Sequence, residues 1–205
     1  EEARGVPVII LAACYIGPFE DGERVIQPLR EFDKPIIDIS GPMPFIELQK
    51  FLDADYPDGR LYYWNSVYLQ NLSDEVISAL IEHAANRPSS ISSLDVWALG
   101  GAMSRVGITE TAFARRKSPF LLGIESNWDN PQESEANVEW ARKVFQDMQR
   151  FSAGGSYLNF PGFGEEGEQL IKDAYASNYE RIQTIKAKYD AENLFRSNLN
   201  IKPQS

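Results

Sequence analysis

The chain has 205 residues, 43% of them hydrophobic and 12% aromatic, enough for one domain with a sizeable core. Asp and Glu number 30 against 20 Lys and Arg, a net charge of -10 that excludes a nucleic-acid binder, since phosphate contacts need clustered basic residues. The longest apolar stretch, Val6 to Ile16, is far short of the ~20 residues of a membrane span and lacks the leader and cleavage site of a signal peptide, so a cytoplasmic protein with no membrane partner is expected.

The chain begins Glu1-Glu2, which reads as a trimmed or partial chain. Residues 7–16 have the composition of a buried strand. The run holds Cys14, the single cysteine, so no intrachain disulfide is available and a buried apolar role is expected. Gly17-Pro18 and Asp21-Gly22 break the run. Val25, Ile26, Leu29 and Phe32 then fall at helical spacing, residues 35–39 read as a second strand, and residues 44–53 form a helix opened by Pro44. After the turn Tyr56-Pro57-Asp58-Gly59, residues 60–68 are aromatic and β-branched, hence strand.

Ser73 caps a helix with Asp74 and Glu75 in its first turn. His83, the only histidine, is expected on that helix's solvent side. With no other His or Cys near it, neither a zinc site nor a Ser-His-Asp triad is expected, and no metal. Residues 94–99 and 120–128 read as strands, 133–151 as the longest helix, 156–160 as a short strand, and 166–176 and 178–189 as helices. The strands are aromatic and mixed rather than uniform Val/Ile runs, and no Gly-rich phosphate loop joins a strand to a helix. The expected fold class is therefore α+β: a mainly antiparallel sheet with helices packed on one face. Gly154-Gly155 and Gly162-Phe163-Gly164 read as turn glycines.

The chain carries Tyr62-Tyr63-Trp64-Asn65-Ser66, then Gly100-Gly101-Ala102 and Thr111-Ala112-Phe113-Ala114-Arg115-Arg116, then a strand ending in Trp128. It continues with Tyr157-Leu158-Asn159-Phe160-Pro161, Asn178-Tyr179-Glu180-Arg181, Lys188-Tyr189-Asp190 and Asn193-Leu194-Phe195-Arg196, and ends Asn200-Ile201-Lys202-Pro203. That order resembles the C-terminal, substrate-binding part of the FAD-linked oxidases of the berberine bridge enzyme type. No single tetrapeptide is specific, but the ordered set is. Asn65 stands where Lys is usual and Arg115 where His is usual, while Arg116 matches.

The resemblance implies a single substrate-binding domain over residues 1–205, with the signature in 156–203. Its other sheet face would be open toward a missing partner, the N-terminal FAD-binding domain. It implies FAD, bound mainly by that domain, and a small-molecule substrate that gives up a hydride. The open face is expected to be apolar and to promote self-association. Tyr157 and Asn159 are placed against the flavin, where an amide both donates and accepts. Phe160 occupies the place of a tyrosine base and has no proton-accepting atom.

Along residues 120–128, alternation sets Leu121, Gly123 and Glu125 on one face. The resemblance puts substrate contacts at Leu121 and Gly123, and Glu125 is the one ionisable group of that face, hence the candidate base. Tyr63, Phe160 and Arg116 complete the expected substrate pocket. Tyr62 and Trp64 point opposite to Tyr63, and the sequence leaves open which set is core. The other reading is a non-catalytic binding module that keeps the fold without handling flavin. Phe160, Leu121 and Gly123 favour it, because the expected base is missing.

Overall fold

A computed structural model describes residues 5–160, 167–196 and 199–204. Pro161, the 162–164 turn and the expected helix start at Glu166 lie outside the described residues. The one domain expected from the sequence divides into two compact units, one up to Gly59 and one from Arg60 onward.

The first unit contains helices α1 (Phe19–Glu31) and α2 (Phe45–Lys50). Helix α1 begins earlier than its apolar spacing suggests. The Pro18 carbonyl accepts from the Gly22 N–H at 3.1 Å, and Gly22, expected to break the chain, sits inside the helix. It is glycine for a steric reason: a Cβ there would stand 2.9 Å from the ring of Tyr15. Arg30, paired with Glu23 of the same helix, ties α1 to the following loop through Asp38 and Ser40.

The strands expected at 7–16 and 35–39 are not formed. A strand satisfies its backbone only by pairing with a neighbour, and among the described residues no strand pairs with these segments. Ile9 and Ile10 are accordingly 90% and 82% exposed. Cys14, expected to be buried, is exposed for the same reason.

The second unit is built on three strands, β1 (Leu61–Leu69), β2 (Ser93–Ala98) and β3 (Phe120–Trp128). They form an antiparallel sheet in the order β1-β3-β2, with β3 in the centre. Between the strands run α3 (Asp74–Ala85) and the short α4 (Gly101–Arg105). After β3 come α5 (Ser134–Met148), α6 (Glu168–Tyr175) and α7 (Tyr179–Tyr189). Ser73 caps α3 as its position predicts, its hydroxyl accepting from the Val76 N–H.

The register sorts the side chains. Tyr63, Val67 and Leu69 of β1 and Leu122, Ile124 and Trp128 of β3 point to one side. There they pack on Val76 and Ala79 of α3 and on Trp140, Ala141, Val144 and Met148 of α5. Leu122, Ile124, Val144 and Met148 are completely buried. The fold is therefore α+β with an antiparallel sheet and helices on one face, as the strand chemistry predicts.

His83 is a correction. It is half-buried rather than on the solvent side, with Nε2 3.3 Å from Asp147 of α5, and its carbonyl accepts from Trp140 Nε1 at 3.1 Å. Helix α3 turns this side to α5, so the residue serves helix packing. No helix among the described residues is long and apolar enough to cross a membrane.

Candidate functional site

The sheet face opposite the helices carries Tyr62, Trp64, Ser66 and Tyr68 of β1, Leu121, Gly123, Glu125 and Asn127 of β3, and Ser93, Asp95 and Trp97 of β2. Glu125 sits mid-sheet: its Cα partners are Trp64 on one side and Ser93 on the other. Its side chain is 4% exposed, so it is not a solvated strand-end residue. A Cβ at Gly123 would lie 3.7 Å from Glu125 Oε1, which places the carboxylate beside the backbone of residue 123.

Gly123 is covered from the edge strand. The six-membered ring of Trp97 lies where its side chain would begin, so a Cβ would meet that ring at 2.5 and 2.8 Å. A glycine in a central strand gives up packing and backbone stability; here the vacancy admits the indole.

Phe160 docks into the same area. Its ring centre is 5.2 Å from Trp64 and 5.8 Å from Trp97, and Tyr157 stands edge-on to it at 5.4 Å. Residues 156–160 form no strand, contrary to their β-like composition. They turn, with the Phe160 N–H donating to the Tyr157 carbonyl at 3.1 Å, because this brings Phe160 down onto the two indoles. Asn159 Nδ2 donates to the Tyr157 hydroxyl at 2.8 Å. The Trp64 indole N–H donates to Asn127 Oδ1 at 2.7 Å.

At the Leu121 end of the face Tyr68 is buried, and the Arg115 guanidinium lies across Gly155 and donates to the Asp173 carbonyl at 2.6 Å. Burial pushes the Tyr68 phenol well above its ordinary value, the neighbouring Tyr157 phenol adds to the rise, and the Arg115 charge opposes it. Tyr68 is therefore a neutral hydroxyl at physiological pH and no proton acceptor.

The structure thus brings together Leu121, Gly123, Glu125, Tyr157, Asn159 and Phe160. It does not bring Tyr63 with them. Alternation sends Tyr63 into the helix-side core, where it is 4% exposed and its hydroxyl accepts from Arg142 Nε at 3.1 Å. Its expected place in a substrate pocket is corrected accordingly. Arg116 is occupied within its own loop, stacked on Phe113 and donating to Thr111 Oγ1.

The sequence reading passed over Trp97 and Tyr68. Alternation alone could have put Tyr68 beside Trp64 on one face of β1. The reach of Trp97 to Gly123 depends on strand order, which local pattern does not carry.

The family model "Berberine and berberine like" matches residues 156–202. An uncharacterized FAD-linked oxidoreductase of Bacillus subtilis (strain 168), YgaK, is 30% identical over 198 residues, covering 92% of this chain and 42% of that protein. Among solved structures, a chitooligosaccharide oxidase superposes with a TM-score of 0.67 at 20% identity over 93% of this chain and 45% of its own. Wild-type Phl p 4.0202, described as a glucose dehydrogenase, gives 0.71 at 16% identity over 93% of this chain and 45% of its own. At these identities the two structures establish the fold alone. The chain spans under half the length of the relatives it matches.

Proposed function

The chain belongs to the FAD-linked oxidoreductases of the berberine bridge enzyme type, and from that premise we propose that it is the substrate-side portion of such an enzyme, covering the flavin and positioning a small organic substrate. The carrying observation is the shared face. Strand alternation, the Gly123 vacancy and the turn at 157–160 gather a buried carboxylate and four aromatic rings on the one sheet surface not used by α3 and α5. The residues fit the ring end of a flavin: half-buried aromatic rings next to the linked Tyr157 hydroxyl and Asn159 amide. Among the described residues of this face there is no phosphate-cradling loop, so the nucleotide end falls to the remainder of the protein.

When bound, FAD supplies the acceptor for a hydride leaving a substrate carbon. Glu125 takes the proton released from the substrate heteroatom onto a carboxylate oxygen, so that a C–H and O–H pair becomes a carbonyl. Burial at mid-sheet keeps water from that carboxylate. Tyr157 and Asn159 hold the polar edge of the cofactor. Tyr68 stays protonated and takes no part as a base. Removing a positioned base costs about 10²–10⁴-fold. Glu125→Gln in the complete protein therefore slows flavin reduction by at least ~100-fold in stopped flow, with flavin content unchanged. An unchanged rate and pH profile eliminates Glu125 as the base.

A second reading, a binding module without flavin chemistry, is favoured by Phe160 at the tyrosine position. It requires the complete protein to carry no flavin, which an absorbance spectrum decides.

A further inference from the structure

Residues 152–160 form an arm that starts at the end of β1 and finishes on Trp64 and Trp97 of the sheet face. Its start is tied down. The Ala153 N–H donates to the Tyr68 carbonyl at 2.7 Å, Gln70 Nε2 to the Ser152 carbonyl at 2.8 Å, and the Gly154 N–H to Ser152 Oγ at 2.9 Å. Gly154 and Gly155 follow, with φ +77° and +81°. Two successive glycines in the left-handed region have no Cβ to fix the direction of the chain beyond them. The far end carries Tyr157, Asn159 and Phe160, and its hydrogen bonds are internal: the Phe160 N–H to the Tyr157 carbonyl, and Asn159 Nδ2 to the Tyr157 hydroxyl. Among the described residues, no hydrogen bond links 155–160 to the rest of the molecule.

Arg115 stands beside the glycine pair. Its Nε, Cζ and Nη2 would all lie within 2.2 Å of a Cβ at Gly155, so the guanidinium occupies the room of a side chain there. Nη2 donates to the Asp173 carbonyl at 2.6 Å, in the last turn of α6, where carbonyls lack partners within the helix. Nε is buried and has no hydrogen-bond partner. An unpaired buried donor is unfavourable, so packing against Gly155, and not hydrogen bonding alone, keeps the side chain here. Buried Tyr68 of the same face feels both the Arg115 charge and the Tyr157 phenol, which sets the three together.

We infer that Arg115 is a positioning residue: it fixes the arm at Gly155 and thereby sets Tyr157, Asn159 and Phe160 over the Glu125 face. The inference rests on the reading of that face as the substrate and flavin side and deepens it. Arg115 acts through those three side chains, with α6 as its fixed point.

The tryptophans supply both the test and its control. Trp64 and Trp97 touch Phe160, whereas Trp128 and Trp140 lie in the helix-side core, their indole N–H groups given to Ser134 Oγ and the His83 carbonyl. The indole N–H resonances of the 205-residue chain are compared with those of Arg115→Ala, Arg115→Lys and, as the reference for a lost ring contact, Phe160→Ala. The expected result is that Arg115→Ala moves the Trp64 and Trp97 resonances in the same direction as Phe160→Ala and at least about half as far, with Trp128 and Trp140 unmoved. Arg115→Lys keeps a donor for the Asp173 carbonyl but not the forked group beside Gly155, and gives a smaller shift of the same kind. Should Arg115→Ala fail to fold, Arg115→Lys decides on the same resonances.

Trp64 and Trp97 resonances that stay at their wild-type positions overturn the inference. So do shifts spread equally over all the indoles, which report general loosening rather than a displaced arm. In the complete, flavin-loaded protein Arg115→Ala is also expected to displace the flavin absorbance bands, because Tyr157 and Asn159 leave its polar edge. Moved indoles with unmoved flavin bands overturn the placing of Tyr157 and Asn159 at the cofactor, which is the reading the inference rests on. A failure of Glu125→Gln to slow flavin reduction sinks the assigned base without touching the arm.

Discussion

Leu69, Leu122 and Ile124 of the sheet have no exposed surface, whereas Ile9, Ile10 and Ile16 of the first unit are 90%, 82% and 91% exposed. The two sets are chemically alike, and both lie in runs with the composition of buried strands. The difference is backbone pairing. β1, β2 and β3 each have a hydrogen-bonded neighbour, which fixes alternation and delivers one row of side chains to α3 and α5. Residues 7–16 have no such neighbour among the described residues, and without a ladder there is no fixed face to bury. Apolar composition makes a strand possible; a partner strand makes it real.

The sharpest way to break this comparison is to remove the same side chain on each side of it. Ile124→Ala empties a completely buried site between β3 and the helices, and a loss of about 3–4 kcal/mol is expected. Ile10→Ala removes an exposed side chain and is expected to cost under about 0.5 kcal/mol. Urea denaturation of both variants measures the difference. Equal losses would mean that the first unit buries Ile10 in solution.

A smaller effect probes how the second unit keeps its loops in place. Gly155 has φ +81°, and a Cβ there would stand 1.9 Å from Arg115 Nε. Gly155→Ala therefore strains the backbone and pushes the guanidinium off the turn next to Tyr157, with an expected cost of about 2 kcal/mol. Gly5, with φ +83°, has open space around it, so Gly5→Ala carries backbone strain alone and a smaller loss. If the two losses match, Arg115 is not held where it is described.

The smallest effect is a pH dependence present in both units. Lys186, hydrogen-bonded to Asp190, holds that carboxyl below its ordinary range, helped by the N–H groups of Leu194 and Phe195. In the first unit the Ser40 hydroxyl, the Ser40 N–H and then Arg30 do the same for Asp38. A carboxyl depressed on folding adds stability above its unfolded value, about 4, and loses it as pH falls through the folded value. Both units are therefore expected to weaken in acid, below about pH 4. Asp190→Asn should flatten that acid limb for the second unit, and Asp38→Asn for the first, read as urea midpoint against pH. A limb that survives Asp190→Asn would assign acid sensitivity to other carboxylates.

Much of the second unit was legible in its residues. Ser73 followed by Asp74 and Glu75 marks the start of α3, and the spacing of Val138, Ala141, Val144 and Met148 marks the buried stripe of α5. The aromatic and β-branched runs mark β1 and β3, and alternation alone set Leu121, Gly123 and Glu125 on one side. Two readings failed where a local pattern had a non-local owner. Residues 156–160 look like a strand, but the gain from seating Phe160 on Trp64 and Trp97 makes them a turn. Tyr63 and Trp64 are neighbours of like chemistry, and only the position of α5 says which of them is core.

The sequence by itself determined the acidic, helix-and-sheet character of the chain, the antiparallel α+β class, the elements with strong caps and periods, and membership of its family. These follow from residue chemistry and from spacings of 2 and 3.6, which act over a few positions. The tertiary structure alone decided that β3 lies between β1 and β2, that the helices take the face of Tyr63 and leave that of Glu125, and that an edge-strand tryptophan fills the place of a missing side chain at 123. Those are meetings between residues about 20 to 80 positions apart, set by strand order and by which ring fits which vacancy, and no local period encodes them.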